Sequence, residues 1–450
     1  MKQGYNEILA LAIPSIITNI TIPLLGLADL AIVGHIGDEN HIGAIAIATM
    51  IFNVMYWVLG FLRMGTSGMT SQAYGAGDWD ETLRTLFRAL MLGCGMGIVF
   101  LVSQSGLAWM MFRVMHTPET ALPFVAAYFR IAIWGAPAML GLYGLSGWFI
   151  GMQNTRLPMF IAILQNLVNI LASLFFVFKM KWGIEGVAAG TLIAQWAGFI
   201  VGLLVLRKKL RTYTFFPADV LTASLRQLFR SILTNGCAWQ RFFVVNRDIF
   251  LRTLCLIGVN LFFTRAGAKQ GSMLLAVNTL LMTLFTLFSY VMDGFAYAGE
   301  ALAGKYYGAT SYAELRQMVG RLFVFGGVMV VIFTVMYIAG GIPFLQLITD
   351  NQAVIVAAQP YVVWAYLVPV AGVAAFIYDG VFIGITETHG MLLSSALAMV
   401  VFFVFYFVAF PLLGNDALWI AFLLFLFLRG ALQYGWTKTR LRPIFGKMQE

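Results

Sequence analysis

The nonapeptide GWFIGMQNT, residues 147–155, returns 233 residues later as GVFIGITET, residues 380–388. Five of the nine residues are identical in the two copies. The same offset aligns Tyr-Gly-Ala at 74–76 with Tyr-Gly-Ala at 307–309, Arg88 with Arg321, and Tyr128 with Tyr361. Because these matches cluster in one register, they indicate that the second half of the chain repeats the first.

The composition places both halves in a membrane. Of the 450 residues, 61 % are hydrophobic and 10 % are charged, whereas a soluble domain is about half apolar and a quarter charged. The mean hydropathy is +0.86. Apolar stretches of about 20 residues, the length that crosses ~30 Å of hydrocarbon as a helix, recur along the chain. The sequence therefore predicts a polytopic membrane protein with little mass outside the bilayer.

Twelve transmembrane helices are predicted. They lie near 11–33, 42–62, 88–108, 122–150, 157–178, 185–206, 246–264, 273–297, 320–342, 354–384, 391–412 and 417–436. A polar stretch at 207–235 separates six spans from six, so we expect an N-terminal lobe at 1–206, a basic cytoplasmic linker at 207–240 and a C-terminal lobe at 241–450. Six helices per copy is an even number, which gives the two lobes one orientation and a pseudo-two-fold axis along the membrane normal.

The charge distribution predicts the orientation of the chain. The net charge is +9, and with the N-terminus inside, 19 basic residues fall on inner segments and five on outer loops. Cytoplasmic loops of membrane proteins carry an excess of Lys and Arg, so we expect both termini in the cytoplasm. The expected location is the inner (plasma) membrane of the cell. The same bias explains the positive charge without nucleic acid as a partner.

Two similar all-α lobes are suited to alternating access, in which rocking opens a central cavity to either side of the membrane. The architecture therefore favours a transporter. A membrane enzyme is not expected, because the chain has no HExxH, no paired histidines and no Ser-centred nucleophile motif. The three cysteines are too scattered for a metal site, and no cofactor is expected.

Four acidic residues lie within or near predicted spans, where a charge is costly and is a functional candidate by default. Burial favours the protonated form of a carboxyl group, which is the chemistry of proton coupling. Asp29 in the first span has no basic neighbour in the sequence, and a coupling role competes there with a structural hydrogen bond. Asp379 stands where the first half has Ser146, so the second lobe gained a charge.

Asp293 and Glu300 are seven residues apart, which puts them on one face of a helix. A face of this kind can line the substrate cavity, but each acid has a structural alternative. Asp293 could pair with Arg252 or Arg247 of the preceding span. Glu300 could be a solvated end charge or could pair with Lys305.

Polar side chains also follow helical spacing in the fifth and sixth spans. Gln165, Asn169 and Ser173 recur at intervals of four, as do Thr191 and Gln195. Such stripes commonly join membrane helices, and this structural interpretation stays open. If they face Asp29, they would form a site of amides and hydroxyls that can bind H⁺, or Na⁺ through oxygen ligands.

Three stretches carry a resemblance to a known family: VNTLLMTLFTLFSYVMDGFAYAGEALAGKYYGA (277–309), NRDIFLRTL (246–254) and SGWFIGMQNTRLPM (146–159). They resemble the multidrug and toxic compound extrusion (MATE) family, in particular its DinF-type branch, and the similarity runs through both halves. The resemblance implies an antiporter that exports organic, often cationic or amphipathic, drugs in exchange for H⁺ or Na⁺.

The resemblance also implies coupling residues. Asp29 occupies the place of the family's central coupling Asp, and Asn169 and Thr191 match two members of its first-lobe cluster. Ser173 falls where the family has a second Asp, which favours H⁺ over Na⁺. Gln165, Gln195, Asp293, Glu300 and Asp379 remain candidates for the substrate cavity. We expect a monomer.

The nearest alternative is a flippase of lipids or lipid-linked precursors from the same wider superfamily. Such proteins usually carry extra helices and a cationic cavity, whereas this chain has twelve predicted spans and acids among its intramembrane charges. A channel is a second alternative, but it does not explain the acids. The sequence does not identify the substrate.

Overall fold

The structure, a computed structural model, describes residues 2–34, 39–115, 117–212 and 236–445. Among these residues the regular structure is entirely helical, which confirms the predicted all-α fold. Contacts divide the chain into two compact units. We call Ile17–Asn246 the first lobe, and Met1–Ile16 together with Arg247–Glu450 the second lobe. The predicted linker 207–240 lies largely outside the described residues.

The helices of the first half follow each other with short connections. They are α1 (Lys2–Gly34), α2 (Glu39–Val58), α3 (Phe61–Ala76), α4 (Trp79–Val102), α5 (Gln104–Val114), α6 (Leu122–Ala132), α7 (Ala136–Gly151), α8 (Arg156–Leu174) and α9 (Ile184–Thr212). A 3-10 turn, Ile133–Gly135, joins α6 to α7, and a π turn, Phe175–Lys179, extends α8.

The second half contains α10 (Gly236–Lys269), α11 (Ser272–Gly308), α12 (Tyr312–Ile348), α13 (Gln352–Ala358), α14 (Val362–Gly384), α15 (Thr388–Leu413), α16 (Asn415–Thr439) and α17 (Arg442–Phe445). The lobe division passes through two helices, α1 after Ile16 and α10 after Asn246.

Eleven helical stretches of the described residues are long and apolar enough to cross a membrane. The predicted span 246–264 lies inside α10, which is not one of the eleven. This helix has 34 residues. At ~1.5 Å per residue it extends ~51 Å, well beyond the ~30 Å of hydrocarbon. Polar residues along the helix, among them the buried Arg252, make α10 less apolar than the eleven spanning stretches.

The predicted span 42–62 was too short. The spanning stretch runs from Gly43 to Ala76, because α3 continues the path after a turn at Leu59 and Gly60. Hydroxyl residues lower the hydropathy of α3, but Thr66, Ser67 and other small polar residues are buried there. Small and hydroxyl residues let membrane helices approach closely, so a drop in hydropathy did not mark the end of this span.

The repeated nonapeptide marks one close helix crossing in each lobe. In the first lobe α7 packs on α3, and a Cβ added to Gly151 would lie 2.6 Å from Thr70 Cβ. In the second lobe α14 packs on α11, and a Cβ added to Gly384 would lie 2.5 Å from the carbonyl oxygen of Glu300. Both glycines are required by backbone approach, which explains why the two copies kept them.

Candidate functional site

Asp29 is a buried carboxyl group of the first lobe. It lies near the end of α1, and 4 % of the residue is exposed. Its Oδ1 atom is buried and has no hydrogen-bond partner among the described residues. A buried charge without a partner is costly. Binding a proton or a cation removes this cost, which makes Asp29 chemically suited to coupling.

A chain of hydrogen bonds lies beside Asp29. Tyr128 of α6 interacts electrostatically with Asp29, and its hydroxyl oxygen lies 3.3 Å from Thr191 Oγ1 on α9. Asn169 of α8 donates to the same Thr191 oxygen at 3.0 Å. Thr191 itself donates to the carbonyl oxygen of Val187 at 3.1 Å. Since the one hydroxyl hydrogen of Thr191 is used there, Tyr128 is the donor to Thr191.

Ser173 lies one turn beyond Asn169 on α8 and is fully buried. It faces α9 at Gly190, where an added Cβ would collide with Ser173 Oγ. Neither Ser173 Oγ nor Asn169 Oδ1 has a hydrogen-bond partner among the described residues. The structure thus brings Asn169, Ser173 and Thr191 together between α8 and α9, with two oxygen acceptors left unused.

Gln165 and Gln195 occupy different surroundings. Gln165 packs against α9 at Gly198, where an added Cβ would be 2.5 Å from the Gln165 amide carbon. Gln195 lies beside the fully buried hydroxyl of Tyr56 and against Gly135. The Oε1 atom of Gln195 is buried and unpartnered among the described residues. Gln195 therefore borders a tyrosine group rather than Asn169.

Asp379 is the centre of an ion network in the second lobe. It lies on α14 and is 6 % exposed. Arg252 of α10 and Arg429 of α16 both donate through Nη2 to its Oδ2 atom. Gln433 donates to Oδ1 at 2.7 Å. One carboxylate balancing two guanidinium groups cannot also attract a cationic cargo, so this geometry favours a structural role for Asp379.

The two acids of α11 differ in exposure. Asp293 is partly exposed and interacts electrostatically with Arg429. Its two suggested partners have other ion pairs: Arg252 with Asp379, and Arg247 with Asp248 at 2.8 Å. Glu300 is 1 % exposed, so its alternative as a solvated end charge is wrong. The Lys305 ammonium lies 5.4 Å from the centre of the Tyr306 ring.

Sequence reasoning missed several residues of these sites. Tyr128 aligns with Tyr361 at the repeat offset, which is the signal that the sequence offered for it. The sequence offered no signal for Tyr56, because one aromatic residue in an apolar span does not differ from the many others. Arg252 was one of two suggested partners of Asp293, the other being Arg247, and no local pattern pointed to Arg429. Among the described residues, no three His, Cys, Asp or Glu side chains come together as a metal site.

Comparison with known families gives a match to each half of the chain. A family model described as MatE matches residues 14–175 and again residues 249–408. The two matches end 233 residues apart, the offset found between the repeated nonapeptides. The predicted duplication is thus confirmed by an independent comparison.

Relatives of the chain include DNA damage-inducible protein F of Escherichia coli K12, 35 % identical over 420 residues that cover 93 % of this chain and 89 % of that one. The similarity confirms the predicted DinF-type resemblance. Another is the Probable multidrug resistance protein NorM of Synechocystis, 26 % identical over 329 residues, with 70 % of this chain and 67 % of that one covered.

Solved structures share the fold over nearly the whole chain. A crystal structure of MATE in complex with MaD3S matches with a TM-score of 0.83 at 19 % identity, covering 99 % of this chain and 97 % of that one. An outward-facing multidrug resistance MATE family transporter of the MOP superfamily matches with a TM-score of 0.80 at 18 % identity, covering 98 % and 96 %. At these identities the likeness establishes the two-lobe fold.

Proposed function

The chain belongs to the MatE family of membrane transporters, and from that premise we propose that it is an antiporter that exports organic compounds in exchange for protons. Multidrug resistance appears in the name of the Synechocystis relative. The proposed cargo is accordingly a range of small organic drugs, often cationic or amphipathic. The proposed site of coupling is Asp29 with its neighbours in the first lobe.

The observation that carries this proposal is the buried, unpartnered carboxyl oxygen of Asp29. A carboxyl group in this position alternates between a protonated form, stable when buried, and an ionised form that needs a counter-charge. Tyr128 supplies a dipole beside it, and Thr191 holds the tyrosine hydroxyl in place. A proton and a cationic cargo would then compete for the same charge.

Protons are favoured over Na⁺ because the first-lobe cluster around Asp29 has one carboxylate, whereas the family's cluster has two. Na⁺ needs several hard oxygen ligands and negative charge to offset its dehydration. Ser173 contributes a neutral hydroxyl at the second acidic position. A single carboxylate is sufficient for a proton.

The membrane arrangement follows from the charge bias of the loops. Both termini are proposed to lie in the cytoplasm, with the chain in the inner (plasma) membrane as a monomer. Asp293 and Glu300 are proposed to act on cargo in the second lobe. Asp293 is the better placed of the two, because it is partly exposed.

The test uses purified protein in liposomes loaded with ethidium. A pH gradient and then a Na⁺ gradient are imposed on the wild type and on Asp29→Asn, with Asp350→Asn, an exposed acid after α12, as the matched control. Ethidium movement driven by the pH gradient alone, lost in Asp29→Asn and kept in Asp350→Asn, is the expected result. Movement driven by Na⁺ alone would refute proton coupling.

A further inference from the structure

The three buried side chains of the ion network, Arg252, Asp379 and Arg429, carry an excess of one positive charge. Arg252 and Arg429 contribute two positive charges and Asp379 one negative charge, and all three side chains are at least nine-tenths buried. The nearby Arg247 and Asp248 form their own neutral pair and do not change this sum. Asp293, which is partly exposed, is a negative charge near Arg429 that lies outside this sum. A net charge held inside a membrane protein is costly unless another group balances it.

The network also has unused hydrogen-bond donors. The Nε atoms of Arg252 and Arg429 are buried and have no partner among the described residues. A guanidinium is a rigid planar fork, so each Nε–H lies next to the Nη2 that binds Asp379. Asp379 does not serve them: its Oδ2 accepts from the Nη2 groups of both arginines, and its Oδ1 accepts from Gln433.

From the excess charge and the two unused donors we infer that Arg252 and Arg429 form a binding site for one monovalent anion in the second lobe. The ligand is a small singly charged acceptor, either chloride from solution or the carboxylate of a cargo molecule. Such a ligand would neutralise the network and accept from the Nε–H groups, which are the donors that arginine normally offers to anions.

Asp293 is the competing counter-charge within the protein. It interacts electrostatically with Arg429 and so lowers the cost of the excess charge. It does not occupy either Nε–H group, since both remain without a hydrogen-bond partner. An exogenous anion and ionised Asp293 would repel each other, so we expect Asp293→Asn to tighten anion binding.

The inference goes beyond proton-coupled export of cations, because it assigns an anion site to the second lobe. A compound that carries a carboxylate as well as a cationic group would gain a contact at the arginine pair that a purely cationic compound lacks. Only this cargo form of the inference rests on the proposed function. Chloride binding stands without it.

Variants that change the charge of the network separate its roles. Arg252→Gln leaves a neutral Arg429–Asp379 pair, whereas Arg252→Gln with Asp379→Asn restores an excess of one through Arg429 alone. Replacing all three residues with Gln, Asn and Gln removes every charge. This triple variant guards against misfolding, because replacing a whole buried ion network is often tolerated.

The chloride experiment follows the thermal unfolding midpoint of the purified full chain by tryptophan fluorescence. Sodium chloride replaces sodium methanesulfonate at constant ionic strength, so that Na⁺ does not change. A saturable rise in the wild type that is lost in Arg252→Gln and in the triple variant, but kept in the double variant, supports chloride as the ligand. The Asp293→Asn variant should show a larger chloride-dependent rise of the unfolding midpoint than the wild type.

The carboxylate experiment measures binding rather than transport, so it does not depend on coupling. Rhodamine 19 is the free acid of rhodamine 6G, an ethyl ester with the same cationic ring system. Loss of a hydrogen bond to a charged group should lower the preference for the acid over the ester by about tenfold in Arg252→Gln. The double variant should keep the preference. A wild type that responds neither to chloride nor to the carboxylate overturns the inference.

Discussion

Replacing Asp379 with Asn should be more destabilising than replacing either of its arginine partners. The carboxylate accepts from Arg252, Arg429 and Gln433 at once, and the two arginines keep their charges when it is neutralised. Removing one partner of a buried ion pair costs about 3–5 kcal/mol. Because two buried cations lose their acceptor here, we expect Asp379→Asn to cost about 5 kcal/mol, the upper end of that range.

The effect of Arg252→Gln on stability should change sign with the charge at residue 379. Arg252→Gln should destabilise the wild type modestly, since a one-to-one Arg429–Asp379 pair remains. In the Asp379→Asn background the same substitution should stabilise the protein, because it removes one of two uncompensated buried cations. Groups in one network typically couple by about 0.5–3 kcal/mol.

The free energies would come from unfolding of the purified chain in mixed micelles with increasing SDS, followed by tryptophan fluorescence. Exposed Asp350→Asn is the control for the loss of an acid and should be neutral within about 0.5 kcal/mol. If Arg252→Gln destabilises both backgrounds equally, the two residues are not coupled. If Asp379→Asn also costs less than about 1 kcal/mol, the assignment of the network is wrong.

Three further substitutions test the α11–α14 crossing, the cargo role of Glu300 and the choice of coupling ion. Gly384→Leu should cost about 1–3 kcal/mol in the same unfolding assay, because the leucine side chain would meet the Glu300 backbone. In the control Gly95→Ala the added Cβ has nothing within 4 Å, and stability should change by less than about 1 kcal/mol. Glu300→Gln should slow liposomal efflux of ethidium more than efflux of a neutral dye, and equal loss of both would assign Glu300 a structural role. Ser173→Asp adds a second carboxylate to the first lobe, one turn beyond Asn169, and should allow a Na⁺ gradient to drive efflux, which the wild type should not support.

The architecture was predictable because it depends on properties that accumulate along the chain. Hydropathy over some 20 residues and a repeat in one register need no knowledge of which side chains meet. Span ends were less predictable where small polar residues pack helices together. In α3 the buried Thr66 and Ser67 looked like the start of a loop but form part of a helix crossing.

The contact between Asn169 and Thr191 could be anticipated, since each residue belongs to a polar stripe at helical spacing and both matched a known family pattern. Their role in coupling stays a prediction. Their link to Tyr128 depends on how α6 approaches α9, which periodicity does not show. The partners of Asp379 were less accessible still. Arg429 is 50 residues away and Arg252 is 127 residues away, so no local pattern joins them.

Comparison of the two halves at the repeat offset shows how far the lobes have diverged. The first-lobe residues Asp29, Asn169 and Ser173 correspond to Phe262, Phe402 and Tyr406 of the second lobe. These three are in contact: the Phe262 ring centre lies 5.9 Å from that of Phe402 and 5.0 Å from that of Tyr406. Edge-to-face rings thus occupy the positions that hold unpartnered oxygen atoms in the first lobe.

The reverse comparison shows the same exchange of roles. The second-lobe network of Arg252, Asp379 and Arg429 corresponds to Asn19, Ser146 and Trp196 of the first lobe, none of which is ionisable. At these aligned positions the first lobe has the carboxyl group of Asp29, and the second lobe has two arginines around one carboxylate. A proton carrier and an anion-binding group would obstruct each other in one site, because each sets the charge that the other needs. The proposed proton site and the proposed anion site therefore stand in different lobes, each with the charge that its own ligand requires.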